Sequence, residues 1–403
     1  MNHIDLFSGI AVVIDDEIGK KADIDAIIKQ LRDNNIPHLS YPSIPDTEVY
    51  KNFHNVSFVL LDWQLIEGIT QENTLDGVRI PTGTQESLNE VNVNFIKELR
   101  KVCFAPVFIF TNEPPSKVKK TLKKAGLYVD NTPNYIFIEQ KDNLKNDNNV
   151  MKAIGNWIKG NPPVYVLKEW EKSFRMAKTN MFFDFYQSSP SWSRILWNNF
   201  QADGANPSVE LGHFITRNVF SRLLRTNFDK TILNDSSPED SKSVAKVLES
   251  TIFVKNEALD PDSAHTGDLF YGKVGDDSSS HFWLNIRANC DTILRSGNGE
   301  DSIVLYCIKG AKKSISSTKQ GNARIKYYKG QFLEPIDSAV ILYDHKYILV
   351  FDFHDFRCIK WTEVKTIREA RVIEPYIIRI QQRYALYMHR QGLPRVPEVL
   401  IGT

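Results

Sequence analysis

The stretch Val56-Ser-Phe-Val-Leu-Leu-Asp-Trp-Gln-Leu65 decides how this chain folds. It follows Phe53-His54-Asn55 and is apolar until it stops on Asp62. An apolar run of this length, without alternation, is the pattern of a strand covered on both faces in a parallel sheet. The carboxyl end of such a strand is where open α/β sheets collect their ligands. Three more runs behave alike: Ile10-Ala-Val-Val-Ile14 leads into Asp15-Asp16-Glu17, Ala105-Pro-Val-Phe-Ile-Phe110 ends on Thr111, and Tyr135-Ile-Phe-Ile138 passes through Glu139-Gln140 to Lys141. Helical spacing lies between them. Ile24, Ile27, Ile28 and Leu31 share a face in Ala22–Asn34, which Pro37 ends. Further helices are predicted at about Val93–Val102, at Ser116–Leu127 with Ser116 as N-cap and Gly126 near the end, and at Val150–Ile158. The alternation predicts a doubly wound parallel α/β sheet of strand order 2-1-3-4-5.

An acidic pair, a lone aspartate, a threonine and a lysine, each after its own strand and in that order, resemble the receiver domain of bacterial two-component response regulators. The resemblance covers residues 1–160. It implies a flavodoxin-like fold and a phosphoryl group accepted on Asp62 from a histidine kinase or a histidine-kinase-like ATPase. Attack of a carboxylate on a phosphoryl group needs charge neutralisation above all. By the resemblance, Asp15, Asp16 and Asp62 hold Mg²⁺ through oxygen ligands, and the main-chain carbonyl of Gln64 completes the set. Lys141 then pairs with a phosphoryl oxygen as a compact point charge, and Thr111 makes the switching hydrogen bond. The sequence also departs from the common pattern. Asp142 follows Lys141 where receivers carry proline, and Ile138 stands at the switch-aromatic position with Phe137 beside it. Asn112 replaces the small residue after Thr111, and the polar, turn-rich stretch Glu67–Asn92 lengthens the middle. These departures resemble the "response receiver" branch of bacterial proteins, in which a long helical and β region follows the receiver.

Gly160-Asn-Pro-Pro163 marks a boundary after this first domain. Residues 164–250 are expected to be a helical middle region, with aromatic stripes such as Trp170, Phe174, Phe183 and Trp197 read as core or as helix-to-helix interface. From there the period changes to two. Short apolar runs including Phe282-Trp-Leu-Asn-Ile286, Ser302–Ile308 and Tyr347–Phe353 predict a small antiparallel β-barrel in residues 251–403, closed by a helix after Pro375.

The chain of 403 residues has a net charge of +1, 42% hydrophobic and 25% charged residues, which gives no global pull toward nucleic acid or an anionic membrane. A local basic stretch is a candidate nucleic-acid contact: Lys309, Lys312, Lys313, Lys319, Arg324 and Lys326, with Tyr327 and Tyr328 among them. A solvated loop between strands explains it better. Asp352 with Glu363-Val-Lys365 has a faint likeness to the carboxylate elements of restriction-type nucleases. Cys103, Cys290, Cys307 and Cys358 form no CxxC pair, and Cys103, Cys307 and Cys358 are expected to be buried thiols. No apolar run reaches membrane-spanning length and no signal peptide opens the chain, so the expected compartment is cytoplasmic. The leading expectation is a signalling protein with a phosphoaccepting receiver and a C-terminal output module, with no enzymatic output assigned. The alternatives are an adaptor with an inactive receiver, and a receiver-regulated nucleic-acid-binding or nuclease effector. The aromatic-rich middle region also makes a homodimer a candidate state.

Overall fold

The computed structural model describes residues 6–7, 9–65, 82–144, 149–234, 240–295, 299–316, 326–328 and 331–390, with backbone alone at 82–87 and 326–328. The chain divides into two compact units, Met1–Ser188 with Thr216–Ser236, and Ser189–Ile215 with Ser237–Thr403.

The first unit runs β1 (Ile10–Ile14), α1 (Ala22–Asp33), β2 (His38–Tyr41), the one-turn α2 (Thr47–Tyr50), β3 (Val56–Asp62), α3 (Thr82–Val102), β4 (Val107–Thr111), α4 (Pro115–Lys124), β5 (Ile136–Gln140) and α5 (Asn149–Lys159). Its five strands lie in the order β2-β1-β3-β4-β5, all pairs parallel, as the sequence predicts. The continuous apolar runs have a plain cause. Alternate residues of each strand face opposite sides, and both sides are covered. Ala11, Val13, Phe58, Leu60, Phe108 and Phe110 pack in one core with Ile27 and Leu31 of α1 and Ile154 and Ile158 of α5. Val12, Ile14, Val59, Leu61, Val107 and Ile109 pack on the other side with Ile96 and Leu99 of α3 and Val118 and Leu122 of α4.

The largest departures from the expected helix bounds are at α3 and α4. Helix α3 starts at Thr82, well before the predicted Val93, because the apolar residues that pack it begin only in its second half. Helix α4 starts one residue before Ser116, with Pro114 at the cap and Pro115 in the first position, where a missing N–H leaves no bond unmade. Much of Glu67–Asn92 lies outside the described residues.

The helices of the middle region are α6 (Pro162–Ser188), α7 (Trp192–Ala202), α8 (Pro207–Ser221), α9 (Lys230–Leu233) and α10 (Ser241–Ile252). Their aromatic stripes are only partly packed. Trp170 stacks on Phe174 with ring centroids 5.0 Å apart, while Phe183, Tyr186 and Trp197 are exposed. After α8 the chain returns to the core of the first unit. Ile232 is buried beside Leu6, Leu144 and Tyr165, and the Phe228 ring lies 6.3 Å from that of Tyr165. The Tyr165 hydroxyl accepts a hydrogen bond from the Asp229 N–H at 2.7 Å.

The second unit holds an antiparallel sheet. Its elements are β6 (Phe253–Lys255), β7 (Asp268–Gly272), β8 (His281–Asn285), β9 (Val304–Ser314), β10 (Lys326–Tyr328), β11 (Gln331–Leu333), β12 (Ser338–Leu342), β13 (Tyr347–Lys360), α11 (Trp361–Val364), β14 (Arg368–Val372) and α12 (Tyr376–Met388). Seven strands pair in the order β12-β13-β9-β8-β7-β14-β6, and β10 pairs with β11 alone. The sheet is curled, since the ring of Phe253 from β6 lies 6.0 Å from that of Tyr343 just past β12, and α10 packs against both of these edge strands. The hydrogen-bonded ladder does not close into a full barrel among the described residues. One glycine here is obligatory. Gly267 has φ +88°, and a Cβ at that position would sit 2.1 Å from the Val372 carbonyl oxygen. Beside it, Asp268 is fully buried and accepts from Arg371 Nε at 2.6 Å and from the His265 N–H at 2.8 Å. Burial still raises its pKa, against the pull of Arg371.

Candidate functional site

The carboxyl ends of β1, β3, β4 and β5 lie side by side, so the polar residues that end the four runs gather at one edge of the sheet. Asp15 and Asp62 each divide their oxygens between a local turn and a shared partner. Asp15 Oδ1 accepts from the Glu17 N–H at 2.9 Å, and Asp62 Oδ1 accepts from the Gln64 N–H at 3.1 Å. The second oxygen of each accepts from Lys141 Nζ, at 2.7 Å in both cases. Lys141 follows β5 in a single 3-10 turn and is 1% exposed, against 2% for Asp15 and 5% for Asp62. A buried cation thus bridges two buried carboxylates at the ends of the neighbouring strands β1 and β3.

Burial and this pairing act against each other. Desolvation pushes Asp62 up from 3.8 to about 6; the charge of Asp15 adds to the rise and Lys141 opposes it. Burial also disfavours the charge on Lys141, but Asp62 and Asp15 outweigh it and raise its pKa above 10.5.

Asp15, Asp16 and Asp62 each place a carboxylate oxygen within 4.8 Å of the others. Three converging oxygen donors fit a hard divalent cation such as Mg²⁺. Gln64 lies two residues beyond Asp62, and its N–H caps that carboxylate. Thr111 is fully buried at the end of β4, where its hydroxyl accepts from the Glu113 N–H at 3.1 Å. Thr111 therefore occupies the neighbouring strand end, while the shortest charge contacts are those of Lys141 with Asp15 and Asp62.

Glu17 was not singled out from the sequence. Its carboxylate reaches Lys141 at 3.8 Å and also pairs with Lys21. The only signal for it was the third acid in the run Asp15-Asp16-Glu17.

The first part of the basic stretch is strand, not loop. Lys309, Lys312 and Lys313 lie within β9, opposite Asp352, Leu349 and Ile348 of β13. Lys309 pairs with Asp355 at 3.2 Å and Lys312 with Asp344 at 3.8 Å; Lys312 also lies 4.3 Å from the centre of the Tyr347 ring. Lys326 is in β10, while Lys319 and Arg324 lie outside the described residues. Lys309 and Lys312 thus already have acidic and aromatic neighbours near the surface, where such pairs contribute little. Replacing Lys312, Lys313 and Lys319 together by glutamine is expected to change stability by less than about 1 kcal/mol in urea unfolding.

Asp352 lies mid-way along β13, whereas Glu363 and Lys365 come after that strand's end. Asp352 bonds His354 Nδ1 at 2.9 Å, and Lys365 pairs with Glu300 at 2.6 Å. Among the described residues, the only group of three or more His, Cys, Asp or Glu with metal-holding spacing is Asp15, Asp16 and Asp62. All four cysteines are free. Cys307 is buried and Cys103 half-buried, but Cys358 is exposed, because on β13 it alternates with the buried Ile359. No described helix is long and apolar enough to cross a membrane. Comparison of the chain with protein-family models and with curated proteins finds no match in either.

Proposed function

We propose that the first unit is a receiver that accepts a phosphoryl group on Asp62 and controls the second unit, a barrel-like output or interaction module. The observation that carries this reading is Lys141 Nζ lying 2.7 Å from both Asp15 and Asp62 at the strand ends. The phosphodonor is the phosphohistidine of a histidine kinase or histidine-kinase-like ATPase, in the cytoplasm. A carboxylate oxygen of Asp62 attacks phosphorus; the new O–P bond forms as the bond to the donor imidazole nitrogen breaks, and the departing imidazole takes a proton from solvent. Mg²⁺, held by Asp15, Asp16, Asp62 and the carbonyl of Gln64, would neutralise charge on the phosphoryl oxygens. In this reading Lys141 releases Asp62 Oδ2 and turns to a phosphoryl oxygen, keeping Asp15 as its anchor. The Thr111 hydroxyl donates to another phosphoryl oxygen while still accepting from Glu113. Asp62 must be ionised to attack, and its pKa near 6 leaves it so at pH 7.5.

A second reading is the adaptor. Asp62 is only 5% exposed and one of its oxygens is already held by Lys141, which favours a receiver frozen in one state. Intact-mass spectrometry separates the two. With acetyl phosphate and Mg²⁺ the wild-type protein is expected to gain one phosphoryl mass, base-labile as acyl phosphates are, and Asp62→Asn is expected to gain none. A wild-type protein that stays unmodified with several donors, a cognate kinase included, leaves the adaptor reading. An adduct that persists in Asp62→Asn moves the acceptor elsewhere.

A further inference from the structure

We infer that Asn92 is a positioning residue of the candidate site, holding the turn that presents Gln64. The inference rests on the proposed reading of Asp15, Asp16, Asp62 and the Gln64 carbonyl as the ligands of a divalent cation. Asn92 sits on α3 and is 2% exposed, between the buried Val93, Phe95 and Ile96 and the turn after β3. A polar side chain so deeply buried is unfavourable unless its hydrogen bonds are made. Its Nδ2 donates not to its own helix but to the main-chain oxygen of Trp63, 29 residues earlier, at 2.8 Å.

That bond completes the restraint of a single peptide unit. The unit joining Trp63 to Gln64 has one carbonyl and one N–H. The carbonyl is taken by Asn92, and the N–H is taken by Asp62 Oδ1 at 3.1 Å. The flanking side chains of Trp63 and Leu65 are buried at 1% and 3% exposure. The next carbonyl along the chain is that of Gln64, and it departs from a peptide plane fixed on both sides and from a residue wedged between two buried neighbours. Asn92 therefore directs a main-chain oxygen that has no side chain of its own to aim it. Partners that orient ligands in this indirect way commonly tune metal affinity.

The test is a Mg²⁺ titration of the full chain, followed by isothermal calorimetry and by the fluorescence of the tryptophans. It compares wild type with Asn92→Leu, which keeps the branched outline but drops the donor, and with Ile96→Val, which weakens packing on the same helix face. Asn92→Leu is expected to bind Mg²⁺ about 10-fold more weakly, and its Gln64 amide is expected to exchange hydrogen faster; Ile96→Val is expected to bind as wild type does. Asn92→Ala carries the same comparison if the leucine variant does not fold. Wild-type affinity in the Asn92 variants would overturn the positioning role and leave the metal reading intact. Equal losses in Ile96→Val would also overturn it, by tracing the effect to stability. A wild-type chain with no saturable Mg²⁺ binding would overturn both.

Discussion

Lys141→Met is expected to destabilise the first unit by about 3–5 kcal/mol at pH 8, the range found when one partner of a buried ion pair is removed. Lys141 is 1% exposed and bridges two carboxylates that are themselves 2% and 5% exposed. Methionine fills much of the same space, so the loss is electrostatic and leaves Asp15 and Asp62 facing each other with their bridging charge gone. Acid should soften the defect. Without the cation, the pKa of Asp62 climbs beyond its present value of about 6, so at pH 5 the aspartate protonates and the repulsion disappears. Chemical denaturation at the two pH values checks this, and a variant equally unstable at both would show that packing, not charge, is what Lys141 supplies.

Asp62→Asn is expected to act in the opposite direction. The folded protein holds the Asp62 proton up to about pH 6, whereas the unfolded chain releases it near 3.8. Between those values the folded state binds the extra proton, so stability is greatest below the window, falls as pH rises through it, and is level above it. The shift corresponds to roughly 2–3 kcal/mol of stability withheld at neutral pH. An asparagine does not ionise, and Lys141 keeps Asp15 at 2.7 Å as its partner. The variant should therefore be about 1–2 kcal/mol more stable than wild type at pH 8 in the absence of metal, and its stability should vary less between pH 4 and 6. Equal slopes in that window would mean that Asp62 is not the group titrating.

The parallel sheet was legible because strands covered on both faces leave little room for polar residues, so the polar residue that ends each run stands out. Asp62, Thr111 and Lys141 follow from that logic, and β3, β4 and β5 put them where it says. What the residues do to one another was less visible. That one lysine grips both Asp15 and Asp62, and that Glu17 joins them, depends on rotamers and on the depth of the cleft, and neither leaves a trace in spacing. The first half of α3 was missed because a helix segment without buried apolar residues has no periodic signal. The lysines of β9 read as a loop in sequence because exposed strand residues in a polar run look like any solvated stretch, and only pairing with β13 reveals them as strand.

The return of the chain after α8 bears on how this protein can be shortened. A fragment of the first unit ending at Ser188, where α6 stops, would discard Phe228, Asp229 and Ile232. Tyr165, now fully buried, would lose the aromatic ring beside it and the N–H that its hydroxyl accepts, and the core would lose the buried Ile232. Such a truncation should be sticky and poorly soluble even with Asp15, Asp16, Asp62, Thr111 and Lys141 all intact. A fragment built to carry residues 216–236 back to that core, through a short artificial linker replacing residues 189–215, is the version suited to crystallisation or NMR of the isolated unit.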